Sequence, residues 1–120
     1  MARAWLAAPE TRVRLACALG VRAVTVGPSN VTWYDDGDFL APHTDAPNGD
    51  FAFVWSLTKA WRASYGGNLH WRGGMLVPTF NRLAVFDVAD NCTPHSVSPV
   101  AAPPGRKRLA LSGWFRAVRV

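Results

Sequence analysis

Apolar and polar positions alternate over short stretches through most of this chain, and only one stretch keeps a helical spacing. That stretch is residues 9–19, where Val13, Ala16, Cys17 and Leu19 fall on one side of a 3.6-residue repeat. Pro9 suits the first turn, Glu10 lies at the positive helix end, and Gly20 supplies a terminator. One short N-terminal helix is therefore predicted. The rest reads as strands rich in β-branched and aromatic residues, at 22–26, 30–34, 51–57, 69–71, 75–77, 82–88, 95–100 and 108–120. Turn signals such as Gly27-Pro28, Asp36-Gly37, Gly66-Gly67 and Gly73-Gly74 separate them. No strand–helix–strand alternation supports a parallel sheet. Many short strands after one helix predict a mainly β fold of sandwich or jelly-roll type. At 120 residues the chain is read as one domain spanning 1–120.

Composition narrows this picture. A hydrophobic content of 49% and a mean hydropathy of +0.02 are too apolar for a disordered chain. No apolar run reaches the ~20 residues that span a bilayer, and the N-terminus lacks a signal-like apolar stretch. A soluble protein of the cytoplasm or another intracellular compartment is expected, with no membrane partner. Cys17 and Cys92 lack CxxC spacing and read as free, buried thiols. The net charge of +5 is spread along the chain, with one small cluster at Arg106, Lys107 and Arg108, so it predicts a basic surface rather than a nucleic-acid-binding tract.

Candidate chemistry begins at His43-Thr44-Asp45. In an extended segment residues i and i+2 point to one side, so His43 and Asp45 can share a metal ion. A third ligand would complete one face of an octahedron. The remaining histidines are His70 and His95. Two imidazoles and one carboxylate with open positions opposite is the arrangement of non-haem Fe(II) oxygenases.

The surrounding residues carry a resemblance. The segment from Tyr34 to Asp45 is similar to the Y-x-x-G-x-F-L-x-x-H-x-D stretch of the 2-oxoglutarate and Fe(II)-dependent dioxygenases, in their prolyl-hydroxylase-like branch. Further landmarks follow in order. Gly66-Gly67-Asn68-Leu69 resembles G-G-x-L, and the segment from Pro78 to Phe86 resembles P-x-x-N-R-L-x-x-F. His95-Ser96-Val97-Ser98-Pro99-Val100 resembles H-x-V-x-x-V, and the segment from Arg108 to Phe115 resembles R-x-x-x-x-G-W-F. The resemblance covers roughly residues 30–116. It implies a double-stranded β-helix, a form of jelly roll. It implies His43, Asp45 and His95 as metal ligands, with His70 turned away because Leu69 faces the cavity. It implies that Arg108 pairs with the distal carboxylate of 2-oxoglutarate, helped by the hydroxyl of Tyr34. A buried guanidinium suits that task, because its planar fork matches a carboxylate. The cofactors implied are Fe(II), 2-oxoglutarate and O2, with ascorbate in support. The reaction implied is decarboxylation of 2-oxoglutarate to succinate and CO2 coupled to hydroxylation of an unactivated C–H bond. A prolyl residue of a protein or peptide is the first substrate expectation.

Other residues are weighed against blander roles. Trp55 and Trp71 are candidates for the substrate mouth, as is Asp50 in the turn-rich loop that follows the metal pair. Asp35, Asp36 and Asp38 read as an acidic turn rather than a calcium loop, and Arg106 and Lys107 as a solvated loop end. Two departures from the family pattern stand out. Ala110 occupies a position that is often serine, and only about thirty residues precede Tyr34, which predicts a thin helical buttress for a minimal core. A free amino acid, a small metabolite or nucleic acid are alternative substrates. Against nucleic acid, Arg108 is followed six residues later by Trp114 rather than by a second arginine. A catalytically silent jelly-roll binding module is the alternative outside enzymology.

Overall fold

The computed structural model describes residues 2–45 and 48–119. Two four-stranded antiparallel sheets face each other. The larger has the order β1 (Ala23–Tyr34), β8 (Arg108–Val118), β3 (Phe51–Ser56) and β6 (Leu83–Asp87). The smaller has the order β2 (Leu40–His43), β7 (His95–Val97), β4 (Leu69–Trp71) and β5 (Gly74–Leu76). Neighbours in each sheet are mostly distant in sequence, so the strands cross between layers as a jelly roll requires. The predicted mainly β, double-stranded β-helical fold is the one observed. No helix among the described residues is long and apolar enough to cross a membrane.

Alternation along the larger sheet sorts side chains between two environments. On β8, Arg108, Ser112 and Trp114 line a cavity between the sheets, whereas Leu111, Phe115 and Ala117 join an apolar cluster on the outer face. That cluster includes Val24, Phe51, Phe53 and Phe115, with the Phe53 and Phe115 rings stacked 4.8 Å apart. Two helices cover it: α1 (Ala2–Ala7) and α2 (Pro9–Leu19). Leu6 is fully buried there, a contribution of about 1.5–3 kcal/mol for a side chain of this size.

The helix predicted at 9–19 forms over those residues, and a shorter one precedes it. Gly20 ends α2 at φ 69°, with its N–H near the carbonyls of Ala16 and Cys17. The buried face is rotated from the one predicted. Thr11, Leu15, Ala16 and Leu19 turn inward, at i, i+4, i+5 and i+8, whereas Val13 and Cys17 are exposed. Cys92 is exposed as well, so neither thiol is the buried group expected. Thr11 wins an inward position because its spacing to Leu15 and Leu19 makes a continuous stripe, which Val13 lies off. The helices cover only one end of the larger sheet: Val31 and Trp33, further along β1, remain exposed.

Gly27-Pro28 does not separate two strands. β1 runs through it, and the pairing with β8 shifts register between Val26 and Ser29. A proline offers no N–H to the ladder, so it sits at this irregularity rather than in regular pairing. Gly113 lies opposite, where a Cβ would collide with the Pro28 carbonyl.

Candidate active site

Three side chains converge between the sheets. His43 ends β2 and His95 opens β7, and the two are directly opposed in the antiparallel register. Asp45 lies just beyond β2 and is buried. Its Oδ1 is 3.1 Å from His43 Nε2, and its Oδ2 is 2.9 Å from His95 Nε2. Candidate ligand atoms of all three lie within 4.8 Å of one another. Each imidazole is fixed in the same way. His43 Nδ1 is 2.9 Å from the carbonyl of Ala41, and His95 Nδ1 is 3.0 Å from that of Thr93. A carbonyl only accepts, so each Nδ1 carries its proton and donates. Each Nε2 then points toward the shared point, which is how ligating histidines are oriented. Two imidazoles and one carboxylate fit Fe(II) and leave room for further ligands. Thr93 holds φ 55°, an uncommon value for a β-branched residue, in the turn that aims its carbonyl at His95.

The same cavity, about 320 Å³, reaches Arg108 and Tyr34. Arg108 is only 3% exposed. Its Nε donates to the Gly67 carbonyl at 2.7 Å, and its guanidinium lies 5.1 Å from the centre of the Tyr34 ring. Among the described residues no carboxylate forms an ion pair with it. Burial draws its pKa down, opposed by the Tyr34 phenol, yet an arginine remains a cation. A buried cation short of a counter-charge fits the distal carboxylate of 2-oxoglutarate. Among the described residues the Tyr34 hydroxyl has no hydrogen-bond partner, and its ring packs on the guanidinium in a cation–π contact.

The double glycine makes this geometry possible. Gly66 and Gly67 have φ 69° and 63°. A Cβ on Gly66 would collide with the Pro99 carbonyl, and one on Gly67 would meet Arg108 Cδ at 2.7 Å. The chain passes close enough to Arg108 to offer a carbonyl only because no side chain intervenes. Downstream, Asn81 takes φ 64° in the turn before β6, a conformation asparagine tolerates.

The three predicted substrate residues part company. Trp71 faces inward opposite His95 in the β4–β7 register and lines a second cavity beside it. His70 takes the other face, as the alternation from Leu69 requires, and lines neither cavity. Trp55 is a correction. On β3 the inward residues are Ala52 and Val54, so Trp55 points to the outer face, where it packs 5.4 Å from Trp5 and donates to Asn81 Oδ1 at 3.0 Å. Asp50 is tied to β8 instead of facing the cavity: its Oδ2 accepts from the Ala117 N–H at 2.7 Å, and its own N–H donates to the Phe115 carbonyl at 2.9 Å. It anchors the loop after the metal pair, of which Ala46 and Pro47 lie outside the described residues. Lys107 pairs with Asp35 at 2.6 Å, so the acidic turn is closed by a loop cation. Asn30, Thr32 and Ser112 also line the cavity and went unread. Alternation from Tyr34 and from Arg108 is the signal that would have found them.

A family comparison matches residues 29–116 to the 2OG-Fe(II) oxygenase superfamily. The chain belongs to that superfamily. Among solved structures it is similar to a prolyl-4-hydroxylase from Pseudomonas putida, at 28% identity and a TM-score of 0.69, over 98% of this chain and 65% of the other. It also resembles an oxidoreductase of the 2OG-Fe(II) oxygenase family from Burkholderia pseudomallei, at 20% identity and a TM-score of 0.75, over 96% and 55% of the respective chains. A viral collagen prolyl hydroxylase from Paramecium Bursaria Chlorella virus-1, crystallised with 2OG, shares the fold at 18% identity and a TM-score of 0.71, over 92% and 70%. The chain thus spans less than two thirds of the first two proteins. A comparison with curated proteins gave no match.

Proposed function

We propose that this chain is a single-domain Fe(II)- and 2-oxoglutarate-dependent dioxygenase that hydroxylates an unactivated C–H bond. The observation that carries the reading is the convergence of His43, Asp45 and His95 on one point, in the cavity that also holds the buried Arg108. His43, Asp45 and His95 would hold the metal, and Arg108 with Tyr34 would hold the far carboxylate of 2-oxoglutarate. When bound with O2, these groups supply an oxidant, with 2-oxoglutarate decarboxylated to succinate and CO2 and one oxygen atom placed on the substrate.

The protein's own part is orientation. The Ala41 and Thr93 carbonyls fix both imidazoles, so that Nε2 stays available. Gly67 holds the Arg108 side chain from behind through Nε, leaving the outer guanidinium nitrogens for a carboxylate. Apolar walls such as Val54, Leu69, Phe86 and Val97 limit water around the reacting atoms. No protein base is needed.

The substrate we propose is a prolyl residue of a protein or peptide. Similarity to the Pseudomonas putida prolyl-4-hydroxylase supports this choice. The test is an anaerobic titration of the apo-protein with Fe(II) and then 2-oxoglutarate, following the visible metal-to-ligand charge-transfer band of a chelated keto acid. A band in the native chain that is absent in His95→Ala supports the site. No band in folded native protein overturns it.

A further inference from the structure

We propose that the free edge of β1 over residues 30–34 pairs with the same edge of a second copy of this chain, joining the two larger sheets about a two-fold axis at Thr32. β1 ends its sheet and, among the described strands, pairs only with β8. Its first half is guarded, because Pro28 and the register shift between Val26 and Ser29 interrupt it. Its second half carries neither a proline nor a charged side chain. The other sheet edges are poorer templates. β5 has three residues, β2 pairs through a shift in register, and β6 ends on Asp87, whose carboxylate meets Arg119.

The backbone decides the register. Leu109 turns both its polar groups to the β3 side: its carbonyl accepts from the Leu57 N–H at 2.9 Å, and its N–H donates to Thr58 Oγ1 at 2.7 Å. Alternation then turns Ala110 and Ser112 to β1, toward their register partners Thr32 and Asn30. The N–H and carbonyl groups of Val31 and Trp33 therefore point to the open edge. Antiparallel pairing about Thr32 sets Val31 opposite the second copy's Trp33, and Trp33 opposite its Val31, which closes four hydrogen bonds and uses every one of those groups. The same register matches the side chains. Val31 and Trp33 stand on the outer face, 61% and 59% exposed, so the two copies form two cross-strand pairs of a β-branched and an aromatic residue. No like charges meet, although the chain carries +5. The inward Asn30, Thr32 and Tyr34 keep their places in the catalytic cavity. Asp35 closes the edge, since its N–H is taken by Asp38 Oδ2 at 2.8 Å. So short an edge buries less than the ~1,600 Å² of a standard interface, and a reversible dimer with a dissociation constant of roughly micromolar order is expected.

Sedimentation equilibrium of the full chain, from about 1 to about 500 µM, tests the association, and a reversible monomer–dimer equilibrium is expected. Residue-resolved amide exchange in dilute and concentrated samples locates the contact. The Val31 and Trp33 N–H groups are expected to exchange freely when dilute and to gain protection when concentrated, whereas Thr32, turned to β8, is protected in both. Val31→Lys combined with Trp33→Lys sets like charges opposite each other at two exposed positions, and is expected to weaken dimerisation by about tenfold or more. A monomer across the whole range would overturn the proposal. So would a dimer whose Val31 and Trp33 amides stay unprotected, which would place the contact on another surface, or an unchanged dissociation constant in the folded double variant. If that variant does not fold, amide exchange on the native chain decides alone.

Discussion

Replacing Arg108 with methionine should separate the two roles of a buried cation, because it acts on apo stability and on ligand binding by different amounts. In the native fold the guanidinium is 3% exposed, donates once to Gly67 and has no carboxylate partner among the described residues. Methionine removes a desolvated charge, which favours folding, and strands the Gly67 carbonyl, which costs about 1–3 kcal/mol. The two nearly offset, so the apo-protein should change by no more than about 2 kcal/mol. Binding has no such compensation. A charge-assisted fork to a carboxylate is worth about 3 kcal/mol, so 2-oxoglutarate affinity should fall roughly 100-fold. At a concentration 100 times the native Kd, ligand stabilises the native chain by about 2.7 kcal/mol and the variant by only about 0.4 kcal/mol. For a domain of this size that is a melting shift of about 10 °C against one or two. Calorimetry of the Zn(II)-loaded proteins with and without 2-oxoglutarate reads both quantities. An undiminished ligand-induced shift in Arg108→Met would refute the assignment of the distal carboxylate to this residue.

Further predictions follow from the same geometry. Gly67→Ala forces a Cβ against Arg108 at positive φ, and should cost about 1–3 kcal/mol in denaturant unfolding while weakening 2-oxoglutarate binding. Weaker binding is the diagnostic part, since a clash felt only by the backbone would leave it intact. Trp55→Leu removes the contact with Trp5 and the hydrogen bond to Asn81, a loss of about 2 kcal/mol, yet kcat and the KM for 2-oxoglutarate should stay at native values. Impaired turnover at native stability would return Trp55 to the substrate mouth. Although burial opposes it, the Ala89 N–H, Cys92 and Arg119 together lower the Asp87 pKa. A carboxylate lowered on folding stabilises above its unfolded pKa of about 3.9 and loses that effect as pH falls through the folded value. Asp87→Asn should therefore flatten the acid limb of the stability profile below about pH 4, measured by urea unfolding at each pH. An unchanged slope would show that Asp87 titrates alike in both states.

The class of fold, the order of its landmarks and the residues that converge are legible in the chain. His43 and Asp45 lie two apart, and a glycine pair and an asparagine stand where the backbone needs positive φ; such demands are local, so spacing and residue type reveal them. Alternation from Leu69 likewise places His70 away from the cavity. Which face each strand and helix turns toward which layer is set by packing in three dimensions. Trp55 is as aromatic as Trp71, yet β3 presents it to the helices and β4 presents Trp71 to His95. Val13 and Cys17 are apolar at helical spacing, yet α2 docks through the stripe of Thr11, Leu15 and Leu19. Strand periodicity fixes which residues share a face and leaves open whether that face meets water, a helix or the opposing sheet. That choice belongs to the packing of the two sheets and two helices, where burial of Phe53 and Phe115 against the N-terminal segment outweighs the preference of any single side chain.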